Sequence, residues 1–245
     1  MNISASIIMR IKELGESDLL VTFFTSDKGR LKGIGKGARR SRKRFPNCLD
    51  LLSFARMEYE RGKNRGLYFL HSCKLIDPFS NLRNDFYLLS LASYLVELTE
   101  ILFPPAVADK NMFETLKNAL IALDNGCKAD ILRVIFEAKA MALGGYRIAL
   151  DTCCVCGRPY TGKGIAVFKR DKGGIACLRC QHKTPLNPVL NPNSIRILKL
   201  AQSATWSNPA MIILPDEILN EIRAVLKLHI EYRIGRKIKT DKYLS

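Results

Sequence analysis

With 47% hydrophobic residues, a chain of 245 residues has ample material for a core, which excludes global disorder. Its 39 Lys and Arg against 23 Asp and Glu give a net charge of +16, which points to a polyanion or an anionic surface as partner. The charge is uneven: residues 1–77 carry 16 cations and 8 acids, 78–150 carry 7 and 8, and 151–245 carry 16 and 7, so two basic ends flank a near-neutral middle.

The chain opens with alternation. Ile3, Ala5, Ile7, Met9 and Ile11 share one parity against Ser4, Ser6, Arg10 and Lys12, which predicts a half-buried strand with those apolar residues inward. No apolar block is present, so no signal peptide is expected. A second strand is predicted over Leu19–Thr25, with Val21 and Phe23 on one face. Ser26-Asp27-Lys28-Gly29 is turn chemistry, which makes strands two and three a hairpin.

Residues 28–44 hold nine cations and no acid: Lys28, Arg30, Lys32, Lys36, Arg39, Arg40, Arg42, Lys43 and Arg44. Arg30, Lys32 and Lys36 share a parity with Ile34 between them, so in a strand they form one row on one face. Glycines 33, 35 and 37 suggest a bend there. Residues 37–44 show no apolar periodicity and read as a mobile basic loop. A row of cations beside such a loop suits a nucleic acid, and all nine are candidate DNA-binding residues. Edge protection by charge is the simpler explanation, but nine cations exceed what it needs.

A fourth strand is predicted over Leu51–Glu60, a turn with three more cations over 61–66, and a fifth strand over Leu67–Leu75. In the fifth, Leu67, Phe69, His71, Cys73 and Leu75 take the inner parity, with His71 a satisfied core group. Phe54 and Tyr68 fall on the outer parity, where they would stack bases or pack on the next domain. Five short strands in about 75 residues fit a small closed barrel such as an OB-fold, or almost as well an SH3-like barrel.

Asp77-Pro78 marks a boundary, and beyond it the period becomes helical. Helices are predicted from Asn84 to the Pro104-Pro105 stop, over 111–123, over 130–143, over 194–204 and over 215–234. The longest apolar run, Leu88–Phe103, is broken by Glu97 and Glu100 and is too short to span a bilayer, so a soluble, intracellular protein is expected.

Of eight cysteines, five cluster. Cys153-Cys154-Val155-Cys156-Gly157 and Cys177-Leu178-Arg179-Cys180 provide two C-x2-C pairs, each able to grip one metal from a tight turn. Gly173-Gly174 supplies a hairpin turn between them. Cys153, Cys156, Cys177 and Cys180 are the expected ligands of one structural Zn2+; the x2 spacing favours Cys153 over Cys154, and His182 is an alternative to Cys180. Four thiolates leave no open position for catalysis. A redox role would expect a βαβ context, which is absent. No phosphate loop or nucleophile elbow occurs, and no catalytic residue is expected.

The predicted architecture is α+β. Residues 1–77 form a five-stranded OB-like, nucleic-acid-binding barrel, 78–150 and 184–245 form a helical domain, and 151–183 form a zinc-binding insertion. Lys36-Gly37-Ala38-Arg39-Arg40-Ser41, then Leu49-Asp50-Leu51-Leu52, then Cys153-Cys154-Val155-Cys156-Gly157-Arg158 and Gly173-Gly174-Ile175-Ala176-Cys177-Leu178-Arg179-Cys180 follow in this order. The order and spacing resemble the RecO family of bacterial DNA repair proteins over essentially the full chain. The segment Arg42-Lys43-Arg44-Phe45-Pro46 is more basic than the family pattern. The resemblance implies a recombination mediator without enzymatic turnover. Such a protein would bind single- and double-stranded DNA, anneal complementary strands, and act in the cytoplasm at the nucleoid. Its partners would be RecR, single-stranded-DNA-binding protein and, in many systems, RecF. The alternative from another class is a zinc-ribbon protein that binds or modifies RNA.

Overall fold

The computed structural model describes residues 1–62, 66–203 and 213–244. The expected turn over 61–66 and the end of the expected helix at Ala204 lie partly outside them. The chain forms two compact units, Met1–Asn125 joined by the residues from Thr240 onward, and Gly126–Lys239. No helix among the described residues is long and apolar enough to cross a membrane.

In the first unit five strands close a barrel: β1 (Asn2–Leu14), β2 (Asp18–Thr25), β3 (Gly29–Gly35), β4 (Phe54–Arg61) and β5 (Tyr68–Asp77). Their order around the barrel is β1-β2-β3-β5-β4, antiparallel except for the short parallel closure of β3 on β5. That is OB-like topology. β3 pairs with β2 from Gly29 to Gly35 without a shift, so the glycines do not bend it there. Gly33 instead serves close approach: a Cβ there would lie 2.5 Å from Leu70 Cδ2 of β5.

Two registers differ from the expected parity. In β1 it is Ser4, Ser6 and Ile8 that share the interior-facing parity, while Ile3 is 62% exposed. The interior polar groups are satisfied: Ser4 Oγ is 2.9 Å from Tyr59 Oη, and Ser6 Oγ donates to the Ala55 carbonyl at 3.0 Å. Ile7 and Phe24 are buried outside the barrel core, and the Phe24 ring lies 5.9 Å from Phe113 of a covering helix. Both faces of β1–β2 are therefore buried, and alternation alone could not tell them apart. In β5 the pairing steps from Tyr59↔Leu70 to Glu58↔Ser72, which leaves His71 as an extra residue. One inserted residue inverts the faces. Tyr68 and Leu70 turn inward with Cys73 and Leu75, and Phe69 turns out. His71 is thus a half-exposed bulge residue 3.2 Å from Glu60, rather than a core group.

The basic loop is also packed more firmly than expected. Ala38, Phe45, Cys48, Leu49 and Leu52 enter the barrel core or its margin, and Cys73 N donates to the Arg44 carbonyl at 2.8 Å. Cys48 Sγ donates to the Cys73 carbonyl at 3.2 Å, so two cysteines far apart in the chain meet. The hydrogen bond that the Cys73 thiol donates toward Cys48, together with burial, holds that thiol protonated. Leu52 adopts φ 69, which ends the loop and delays β4 to Phe54.

Helices α1 (Ser80–Arg83), α2 (Phe86–Leu102) and α3 (Lys110–Asp124) complete this unit. Asp85 caps α2 by accepting from the amides of Tyr87 and Leu88, and Asp109 caps α3 by accepting from that of Met112. Phe113 of α3 sits between Phe24 and Phe54, so Phe54 packs on a helix.

In the second unit, α4 (Ala129–Leu143), α5 (Pro192–Ser203) and α6 (Asp216–Ile234) bury Ile131, Leu132, Ile195, Leu198, Ile222 and Leu226. A three-stranded sheet in the order β7-β6-β8 comprises β6 (Ala166–Lys169), β7 (Gly174–Ala176) and β8 (Val189–Leu190). Buried His229 of α6 lies 2.7 Å, through Nε2, from the Tyr146 carbonyl and meets Phe168 edge-on.

Candidate nucleic-acid interface and metal centre

The outward row on β3 forms as its parity dictates, with Arg30 and Lys32 outside and Leu31 inside. Partners divide the nine cations sharply. Arg30 Nη1 is 2.9 Å from Glu100 of α2, and its side chain is 18% exposed. Lys36 is 2.7 Å from Asp18. That contact and the Gly37 amide hold the Asp18 carboxyl below its usual range. Arg39 is 3.1 Å from Glu13. Lys28 donates to the Asn2 side chain and lies over the Tyr59 ring at 5.8 Å. Arg44 donates to the Lys36 carbonyl and lies over Phe45.

Among the described residues, the side chains of Lys32, Arg40, Arg42 and Lys43 have no ion-pair or hydrogen-bond partner, and all four residues are exposed. A charge already neutralised by a carboxylate has less to gain from a phosphate than a free one. The free cations are therefore concentrated at residues 40–43 and at Lys32.

Beside Lys32 opens a cleft of about 430 Å³, lined among others by Arg30, Lys32, Arg61, Tyr68, Pro105 and Ala106. Arg61 and Tyr68 pair across β4–β5. Arg61 was one cation of a turn in the sequence, and Tyr68 was expected on the outer parity, whereas the shift at His71 turns it against the barrel core at the edge of the cleft. Pro105 signals only a helix stop in the sequence, and Ala106 signals nothing. They arrive because the Ala106 amide donates to the Arg30 carbonyl at 2.9 Å.

In the second unit, the sulfurs of Cys153, Cys156, Cys177 and Cys180 all lie within 4.8 Å of one another. Two tight turns present them: Gly157 N donates to the Cys153 carbonyl at 2.9 Å, and Cys180 N to the Cys177 carbonyl at 2.9 Å. Cys154 is outside the set, and its amide donates to the Ile175 carbonyl at 2.8 Å. His182 is exposed and also outside it. A zinc–sulfur distance of about 2.3 Å gives tetrahedral edges of about 3.8 Å, and Cys156 Sγ lies 3.9 Å from Cys177 Sγ.

The electrostatics favour thiolate at Cys153 and Cys177 and the thiol at Cys180. Burial pushes the Cys153 thiol up, but the amides of Cys156, Cys177 and Val155 together pull it further down, to about 6. The hydrogen bond from Cys180 lowers Cys177, while donation to Cys177 and Cys156 pushes Cys180 up to about 12. A set of four soft donors at this spacing is compatible with a tetrahedral zinc ion.

Comparison with known proteins covers both units. Residues 1–79 match the family model described as "Recombination protein O N terminal", and residues 83–242 match "Recombination protein O C terminal". The chain is similar to the DNA repair protein RecO of Syntrophus aciditrophicus, 30% identical over 241 residues that cover 97% of this chain and 93% of that one. It is also similar to the DNA repair protein RecO of Desulfatibacillum aliphaticivorans, 31% identical with coverage of 99% and 95%.

Proposed function

Because the chain belongs to the recombination protein O family of DNA repair and recombination proteins, we propose that it works by holding DNA strands rather than by chemical turnover. It binds single- and double-stranded DNA without sequence preference, anneals complementary strands, and helps load a recombinase onto strands coated by single-stranded-DNA-binding protein. The observation that carries this reading is the group of exposed cations at Lys32, Arg40, Arg42 and Lys43, whose side chains have no partner among the described residues, on an OB-like barrel. Phosphates are recognised by charge and position, so such a surface grips any strand alike. The adjoining cleft offers Tyr68 and Arg61 to a base and its phosphate.

In this reading the paired cations Lys28, Arg30, Lys36, Arg39 and Arg44 shape the surface and lend long-range field. One zinc ion bound by Cys153, Cys156, Cys177 and Cys180 is structural: it closes the two turns onto each other, and its binding energy becomes folding energy of the second unit. RecR, single-stranded-DNA-binding protein and RecF are the expected partners, and the site of action is the cytoplasmic nucleoid.

The test is annealing of complementary oligonucleotides precoated with single-stranded-DNA-binding protein. Faster annealing with this protein, indifferent to the oligonucleotide sequence, is the expected result. No acceleration over the coated strands alone would overturn the proposal.

A further inference from the structure

In the second unit, the turn that joins β6 to β7 packs against the C-terminal end of α6. Gly173 in that turn has φ 64, and a Cβ there would lie 2.4 Å from Arg233 Nη2. Glycine thus lets the Arg233 guanidinium lie across the turn. Arg233 Cζ is 5.5 Å from the centre of the Tyr232 ring, and Arg170 Cζ is 5.4 Å from it. One aromatic ring, 45% exposed, holds two guanidinium groups from two different elements. Lys172 lies on the same turn, and Arg236 and Lys237 follow the Gly235 cap of α6.

None of these five cations has a carboxylate partner among the described residues. Of the neighbouring acids, Asp171 is 3.6 Å from Lys169, and Glu231 precedes Tyr232. The carbonyl end of α6 favours cations only within its last turn, so it does not account for Arg170 or Lys172. Guanidinium groups against a ring keep their donors at the edges, where a phosphate can take two at once. Their planes and the tyrosine ring suit unstacked bases, which a single strand offers and a duplex does not.

We propose that Arg170, Tyr232 and Arg233, flanked by Lys172 and Arg236, form a second binding site for single-stranded nucleic acid, built from residues other than the basic stretch of the barrel. Annealing needs two strands held at once, and two sites on one chain supply that. This consequence rests on the function proposed above; the binding itself does not.

The experiment irradiates the full-length protein with a 5-iodouracil-substituted oligonucleotide and maps the crosslinked peptides by mass spectrometry. Crosslinks at Tyr232 as well as on the barrel are expected. Arg170→Ala with Arg236→Ala should remove the Tyr232 crosslink and keep the barrel crosslinks. It should also reduce the salt slope of binding by about 1.4, at about 0.7 per phosphate contact. Crosslinks confined to residues 1–77, with an unchanged slope in the double variant, overturn this site and leave the barrel reading intact. Crosslinks only at the Tyr232 cluster support this site and overturn the barrel reading. Equal displacement of the labelled strand from Tyr232 by duplex DNA overturns the single-strand assignment. The mapping is done on the wild-type protein, so a variant that fails to fold does not remove the test.

Discussion

Replacing Arg40, Arg42 and Lys43 with Ala removes three exposed cations that have no partner among the described residues. On a single strand each neutralised phosphate contributes a slope of about −0.7 in log K against log salt. If these three and Lys32 each neutralise one phosphate, the wild-type slope from this surface is about −2.8, and the variant retains about −0.7. From 50 to 200 mM salt the contribution of this surface should then weaken roughly 50-fold in the wild type and only about 2.6-fold in the variant. A matched variant, Arg30→Ala with Lys36→Ala, deletes two cations already held by Glu100 and Asp18. It should leave the slope near the wild-type value. The assay is fluorescence anisotropy of a labelled oligonucleotide at several salt concentrations for all three proteins. Thermal melts should show that the triple variant stays within about 0.5 kcal/mol of wild type, as exposed positions usually do. The reasoning is refuted if the triple variant keeps the wild-type slope, or if the Arg30/Lys36 variant flattens it as much.

Freshly purified protein should carry one zinc per chain by elemental analysis, and Cys156→Ser or Cys177→Ser should lose the metal and destabilise the second unit; wild-type protein without metal would contradict the assignment. Phe113→Ala removes a buried ring that touches Phe24 and Phe54, and should cost about 3–5 kcal/mol in urea melts while leaving the salt slope of DNA binding unchanged. His229 has its pKa lowered by burial, with the Arg233 charge adding to the effect against the Tyr146 hydrogen bond. The unfolded chain, near the ordinary value of about 6.5, therefore takes up a proton at higher pH than the folded one does. The contribution to stability is complete above that value, is lost as pH falls from it toward the folded pKa, and then levels off. His229→Gln should shrink the loss of stability between pH 8 and pH 5, and an equal loss in both proteins would remove His229 as the cause.

What local spacing controls was readable without coordinates. The two C-x2-C turns depend only on residues within four positions of one another, so both appear where the spacing put them. Helix periodicity and the flanking Pro, Gly and Asp residues located α2 to α6 to within a few residues. The count of five strands and the outward row on β3 likewise follow from turn chemistry and parity. Tertiary structure decided whatever depends on distant partners. The inward face of β1 was not readable because both faces of the β1–β2 pair are buried, Phe24 of β2 against Phe113 of α3, and apolar alternation records burial without saying on which side. The face of Tyr68 turned on a single bulge at His71, set by pairing with β4 rather than by β5 itself. Nine cations looked equivalent in the sequence. Glu100, seventy residues from Arg30, and Asp18, eighteen from Lys36, separated the paired from the free. The Tyr232 cluster arises the same way, from a turn near residue 170 meeting a helix end sixty residues later. Charge composition is a property of the sequence, but which charges remain unneutralised depends on distances that only the fold creates.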